Sequence, residues 1–283
     1  MKRLILRIIL CLSIFTGLCL ILYPTISNIV NALTNNSTIN GYNENIKSYN
    51  TESIELMHNE AKEYNKVIAD KYTSENNSNE IDILKSYNTI LNLGDGLMGY
   101  IEIPEINVNL PIYHGGDKDV LTKGAVHLEK TSLPVGGKST HAVISAHSGY
   151  PTQKFFDDID KLQSDSLIYI HTLNMTLTYK VYSSDVVDPD DSSKLNIIDG
   201  KDILSLVTCY PYGINSHRLL IHAERIYDTG VASIDEISSS KRTYDTSILL
   251  LIVILLFLAV FAFLAVKYIK HSKSKKALGG ENK

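Results

Sequence analysis

The stretch LVTCYPYGINSHRLL, residues 206–220, decides how this chain is read. An apolar, β-branched run ends in Cys209, a loop bearing Pro211 and Gly213 follows, and a second apolar run opens on Arg218. Two strand-like segments around a turn read as an antiparallel hairpin, whose return sets Arg218 beside Cys209. A thiol at a strand end projects from the rim of a sheet, where a base or a positive charge favours its thiolate and makes it a nucleophile. The competing reading of a lone cysteine is a small buried hydrophobe.

The rest of the chain sharpens that choice. Of three cysteines, Cys11 and Cys19 lie in an apolar N-terminal run, so Cys209 has no partner for an intramolecular disulfide. From Ile8 to Tyr23 there is no charge, and Lys2, Arg3 and Arg7 precede the run, the pattern of a signal peptide or an uncleaved signal anchor. Ile248 to Val266 is apolar and long enough to span a bilayer, and Lys267, Lys270, Lys273, Lys275 and Lys276 follow it. The positive-inside rule puts both basic ends in the cytoplasm and the intervening residues outside. A free thiol in an oxidising compartment is a liability unless it is buried or used. The net charge of −4 comes with no basic stripe of the kind that nucleic-acid binding requires.

Residues 34–50, rich in Asn, Ser and Thr, read as a linker. Ile54, Met57, Ala61, Tyr64 and Ile68 recur at spacings of three and four and predict a helix over 53–72. From Leu97 the pattern turns to strands: LMGYIEIPEINVNLPIYHG, HAVISAH, SLIYIHTL, MTLTYKVYSSDVV, ILSLVTC and RLLIHAERIY, with TQKFFDDIDKL as a short helix among them. Many short strands with few helices predict a closed barrel or a sandwich.

The thiol's base should be a histidine. His147 in AVISAHSGY follows a β-like run, as Cys209 does, and Ser148-Gly149 starts a turn; two strand ends side by side would join imidazole to thiol. His114, His127, His141, His171, His217 and His222 compete as packing or surface residues, and no tight ligand spacing among them suggests zinc. Arg218 supplies a guanidinium able to bind an oxyanion or orient a carbonyl, against the plainer reading of a surface ion pair.

LSLVTC followed by YPYGINSHRLL resembles the signature of the sortases, cysteine transpeptidases of Gram-positive bacterial surfaces. GYIEIPEINVNLPIYHG, HLEKTSLPVGGKSTHAVISAHSG and FFDDIDKL are similar to consecutive sortase segments in the same order, over residues 85 to 228. The two membrane segments and the PYGINSHRL loop resemble class C, the pilus-assembling branch. The resemblance implies an eight-stranded β-barrel with short helices, preceded by an N-terminal helical segment and flanked by two transmembrane helices. The expected division is a basic end and anchor or signal peptide at 1–32, a linker and helical region at 33–92, and the catalytic barrel at 93–230. A juxtamembrane linker at 231–246, a transmembrane helix at 247–267 and a basic cytoplasmic tail at 268–283 complete it.

The resemblance also implies the reaction: Cys209 attacks the Thr carbonyl of an LPxTG-type sorting motif, and His147 protonates the departing glycine amine. Arg218 holds the substrate and the oxyanion, with Thr208 or a backbone amide sharing that contact. An incoming amine then resolves the thioester, a pilin lysine in class C or a cell-wall peptidoglycan amine in housekeeping enzymes. No metal or organic cofactor is required. Three departures stand out: Ser205 replaces the frequent Thr, SAHSG replaces SGHRG, and the Asp-Pro-aromatic lid motif of many class C members is missing. Asp70 and Tyr72 in ADKY are candidate lid residues, Asp70 meeting Arg218 and Tyr72 covering Cys209; the plainer expectation is an appendage that leaves the cleft open. An L,D-transpeptidase is disfavoured, since LVTCYPY lacks Ser-His-Gly before its cysteine. A degenerate, inactive assembly protein is disfavoured by the presence of His147, Cys209 and Arg218 together.

Overall fold

A computed structural model of the chain describes residues 2–73, 86–115 and 119–227, with positions 254, 255 and 258 of the C-terminal segment. Two helices come first, α1 (Lys2–Ser48) and α2 (Thr51–Thr73). Eight strands follow: β1 (Leu97–Ile103), β2 (Val108–His114), β3 (Ala125–His127), β4 (Thr140–Ser145), β5 (Leu167–Thr172), β6 (Met175–Val187), β7 (Asp202–Tyr210) and β8 (His217–Arg225). They close into a barrel in the order β1-β2-β3-β4-β7-β8-β6-β5, so no sheet edge is left open. The eight-stranded barrel expected from the sequence is therefore present.

Most neighbours are antiparallel, but β2 with β3 and β4 with β7 run parallel, the latter from Thr140 opposite Asp202 to Ser145 opposite Val207. Successive side chains on a strand face opposite ways, which divides these strands cleanly. Ala142 and Ile144 of β4, Leu204 and Leu206 of β7, and Leu219, Ile221 and Ala223 of β8 enter the main core. Val143, Val207 and Leu220 take the other face, where with Val187 they form a second apolar cluster covered by Leu128 and Leu195. Cys209 shares the parity of Val207, and Arg218 that of Leu220. Both therefore stand on the outer face, beyond the end of this apolar floor.

The N-terminal region departs from its expected form. Residues 34–48 continue α1 instead of forming an irregular linker. Their polar composition hides a helical stripe, Asn35, Ile39, Tyr42 and Ile46, all buried. Tyr42 Oη donates to the Met98 carbonyl at 3.1 Å and accepts from Leu173 N at 2.7 Å, while Asn45 Nδ2 donates to the Leu93 carbonyl at 2.9 Å. α2 matches the predicted 53–72 helix closely. It buries Ala61, Tyr64 and Ile68, and Asn65 pairs with both backbone groups of Leu133, at 3.0 and 2.6 Å. TQKFFDDIDKL makes only a 3-10 turn at Ile159–Lys161, because Asp157 spends its carboxylate on the loop amides of Gly149 and Phe155.

Within α1 one segment is long and apolar enough to cross a membrane. The second expected transmembrane helix at 247–267, its linker and the tail lie outside the described residues, apart from three helical positions.

Candidate active site

The parallel pairing of β4 and β7 brings their C-terminal ends to the same rim. Ala146 N donates to the Val207 carbonyl at 3.1 Å, and the buried Thr208 hydroxyl donates to the Ala146 carbonyl at 2.8 Å. The next residue on each strand is a predicted site residue, His147 on one side and Cys209 on the other. On the far side of β7, antiparallel β8 sets Arg218 directly opposite Cys209. The hairpin pair Cys209 and Arg218 and the distant His147 are thus gathered at one rim of three adjacent strands. Thr208, the expected support for the oxyanion, turns its hydroxyl to the neighbouring strand in this structure. Its proton is committed to Ala146, and its contribution is to lock the two strand ends together.

His147 is half-buried, and aromatic faces hold its ring. Tyr150 stacks on it with centroids 5.1 Å apart and planes 16° apart, and Phe155 meets it edge-on at 6.0 Å and 62°. The His147 carbonyl accepts from Phe156 N at 2.9 Å, closing the loop under the ring. Gly149 turns this loop with φ +74°, a conformation that an L side chain resists; a Cβ there would also stand 3.5 Å from the Tyr212 ring. Burial holds the imidazole below its ordinary value, and the Asp157 carboxylate opposes that shift. A mostly neutral imidazole near pH 7 can accept a proton, and its conjugate acid is strong enough to return one.

Cys209 is a free thiol of intermediate exposure. Arg218 Nη1 donates to the carbonyl of His217 at 2.9 Å and of Asn215 at 3.4 Å, so the β7–β8 loop orients its guanidinium. A guanidinium carries five N–H donors, which leaves capacity for a substrate carbonyl or oxyanion. Tyr212 and Ile214 at the tip of that loop are 65% and 72% exposed, and the Tyr212 ring lies next to Gly149.

The competing histidines serve the barrel. His127 is fully buried, with Nδ1 2.9 Å from Tyr87 Oη and Nε2 2.8 Å from the Ser132 carbonyl; burial depresses its pKa to about 4. His141 is likewise depressed to about 4 by burial. Its Nδ1 faces the Asn196 carbonyl at 2.8 Å and must carry the proton, so Nε2 accepts from Ser205 Oγ at 2.7 Å. Ser205 Oγ in turn accepts from His222 Nδ1 at 2.7 Å. The Ser205 departure is thus the centre of a buried relay that ties the β6–β7 connection to the sheet, a role that no local sequence pattern discloses. His114 bonds the Gly96 and Ile90 carbonyls, His171 stacks on Tyr100, and His217 pairs with Ser216. Asp70 is exposed on α2, and the side chain of Tyr72 lies outside the described residues.

The Sortase domain model matches residues 101–226, which hold this site. Sortase C1 from Streptococcus agalactiae is 39% identical, with a TM-score of 0.62, over 68% of this chain and 99% of that one. Sortase C from Clostridium perfringens SM101 is 44% identical, with a TM-score of 0.58, over the same shares. The chain belongs to the sortase family. This sortase resembles the class C members of a family of cysteine transpeptidases. Among curated relatives, Sortase D from Bacillus subtilis (strain 168) is 30% identical over 45% of this chain and 63% of its own length, somewhat under two thirds.

Proposed function

We propose that this sortase is a membrane-anchored transpeptidase that polymerises pilins. The observation that carries the reading is the register: Cys209 faces Arg218 across β7 and β8, and His147 stands where β4, parallel to β7, ends. In this reading the Cys209 thiolate attacks the threonine carbonyl of an LPxTG-like motif. The tetrahedral oxyanion draws on Arg218, and collapse expels the glycine amine with a proton from the His147 imidazolium. A thioester on Cys209 remains. A lysine amine of a second pilin attacks it, gives its proton to His147 and leaves with the acyl group as an isopeptide. Support for the substrate class comes from two neighbours. A Clostridium perfringens sortase C was solved with a C-terminal cell wall sorting motif, and the crystal structure of Streptococcus pneumoniae sortase C gave insight into pilin substrate specificity. α1 would hold the catalytic domain at the outer face of the membrane.

Mass spectrometry tests the proposal on the chain mixed with an LPxTG-type peptide and a lysine-bearing pilin fragment. The expected result is an adduct on Cys209, absent from Cys209→Ala, together with an isopeptide product. An adduct without that product indicates another acceptor, such as a peptidoglycan amine, and removes the pilin step. No adduct across a panel of motifs defeats the transpeptidase reading.

Asp70 and Tyr72 remain the candidate lid. Competitive thiol labelling of the wild type and an Asp70→Ala, Tyr72→Ala double variant tests it; a lid predicts faster labelling of the variant, and equal rates remove the idea.

A further inference from the structure

We propose that Asn28 and Asn31 of α1 are positioning residues for His147, so that the anchor helix holds the base as well as tethering the barrel. This rests on the acid–base role of His147 given above. Asn31 Nδ2 and Ser27 Oγ both donate to the Thr152 carbonyl at 2.7 Å, and Lys154 N donates to Asn28 Oδ1 at 3.0 Å. Positions 27, 28 and 31 share one side of the helix, since residues three and four apart are neighbours on its surface. Thr152 and Lys154 lie in the short span between Tyr150 and Phe155, the two rings that box His147. The loop therefore has two fixed points. Asp157 gathers the amides of Gly149 and Phe155 at its base, and α1 grips the backbone at its tip.

The His147 ring depends on this arrangement because the contacts that hold it are aromatic. A stacked ring keeps its edge free for chemistry, but its orientation is only as fixed as the loop that carries Tyr150. Without the grip of α1 the tip can swing about Asp157 and carry Tyr150 off the imidazole. A small displacement of an acid–base group costs rate while leaving substrate affinity largely intact.

The two asparagines act with opposite polarity, which gives a specific test in the full-length protein. Asn28 accepts through oxygen, so Asn28→Asp keeps the contact and Asn28→Ala loses it. Asn31 donates through nitrogen, so Asn31→Asp turns a carboxylate against a carbonyl. The experiment measures kcat and KM for sorting-peptide cleavage, hydrogen exchange over residues 150–156 and Tm, for each single variant, for Asn31→Ala, and for the triple variant Ser27→Ala, Asn28→Ala, Asn31→Ala, which also removes the Ser27 bond to the Thr152 carbonyl. The triple alanine variant is expected to lose about tenfold in kcat, with KM and Tm near wild type and faster exchange at the loop. Asn28→Asp should stay near wild type, and Asn31→Asp should fall at least as far as Asn31→Ala.

Faster loop exchange with unchanged kcat overturns the proposal and leaves the function standing. Equal behaviour of the two aspartate variants overturns it too, including where the triple variant is unstable. A wild-type chain that forms no Cys209 adduct overturns the underlying reading, and this inference with it.

Discussion

His147 and the buried pair His127 and His141 are the same residue type in the same barrel, held in opposite ways. Backbone carbonyls and hydroxyls grip the two buried rings by their nitrogens, and full or near-full burial keeps them neutral to about pH 4. Tyr150 and Phe155 grip His147 by its faces, in a half-open setting. A histidine whose nitrogens are already used can only hold structure together. One held by its faces keeps its nitrogens for a reacting group.

The largest test of this contrast is loss of chemistry. His147→Ala and Cys209→Ala are each expected to lower acyl transfer by at least about 10²–10⁴-fold with little change in Tm, read from single-turnover adduct formation and thermal melts. His127→Ala should reverse the pattern. It leaves the Ser132 carbonyl without its ring donor and a void where the buried imidazole stood, at about 2–4 kcal/mol of stability, and adduct formation per folded molecule should persist. A stable, inactive His127 variant would break the comparison.

Acid should act mainly through the buried pair. The unfolded chain protonates these rings near 6.5 and the folded chain only near 4, so between those values the unfolded state binds more protons. Stability is therefore greatest above about pH 6.5 and falls as pH drops toward 4, by on the order of 3 kcal/mol for each ring. Melts from pH 7.5 to 4 measure this, and a flat profile would contradict the neutral assignment of both. The smallest expected effect is at the box itself. Tyr150→Leu should cost about two- to tenfold in kcat, the worth of one aromatic contact, with KM unchanged.

The sequence announced much of this architecture, for physical reasons that can be named. The β7–β8 hairpin was legible because its alternation, turn residues and terminal Cys and Arg are all local. His147 could be singled out among nine histidines because it follows a β-like run and precedes a Ser-Gly turn. The 34–48 helix was not legible, because its buried stripe includes Asn35 and is diluted by Asn, Ser and Thr on the other faces. β3 is three residues long, too short for any period to show. Thr208 and Ser205 acquire their roles from partners more than fifteen residues away: Ala146, 62 residues off, for Thr208, and His141 and His222, 64 and 17 residues off, for Ser205. No window along the chain contains those pairs.

The parallel pairing of β4 and β7 has a consequence for the life of the protein before it is folded. A hairpin can bring two catalytic groups together as soon as its turn forms, but parallel neighbours need a long crossover between them. Here the crossover comprises β5, β6 and the loops around them, so the base and the thiol meet only after nearly the whole barrel has been delivered and closed. Such non-local closure comes late in folding. Until then the unfolded chain carries Cys209 as an ordinary cysteine, without His147 beside it. His147 and Cys209 come together only as the last strands close the barrel.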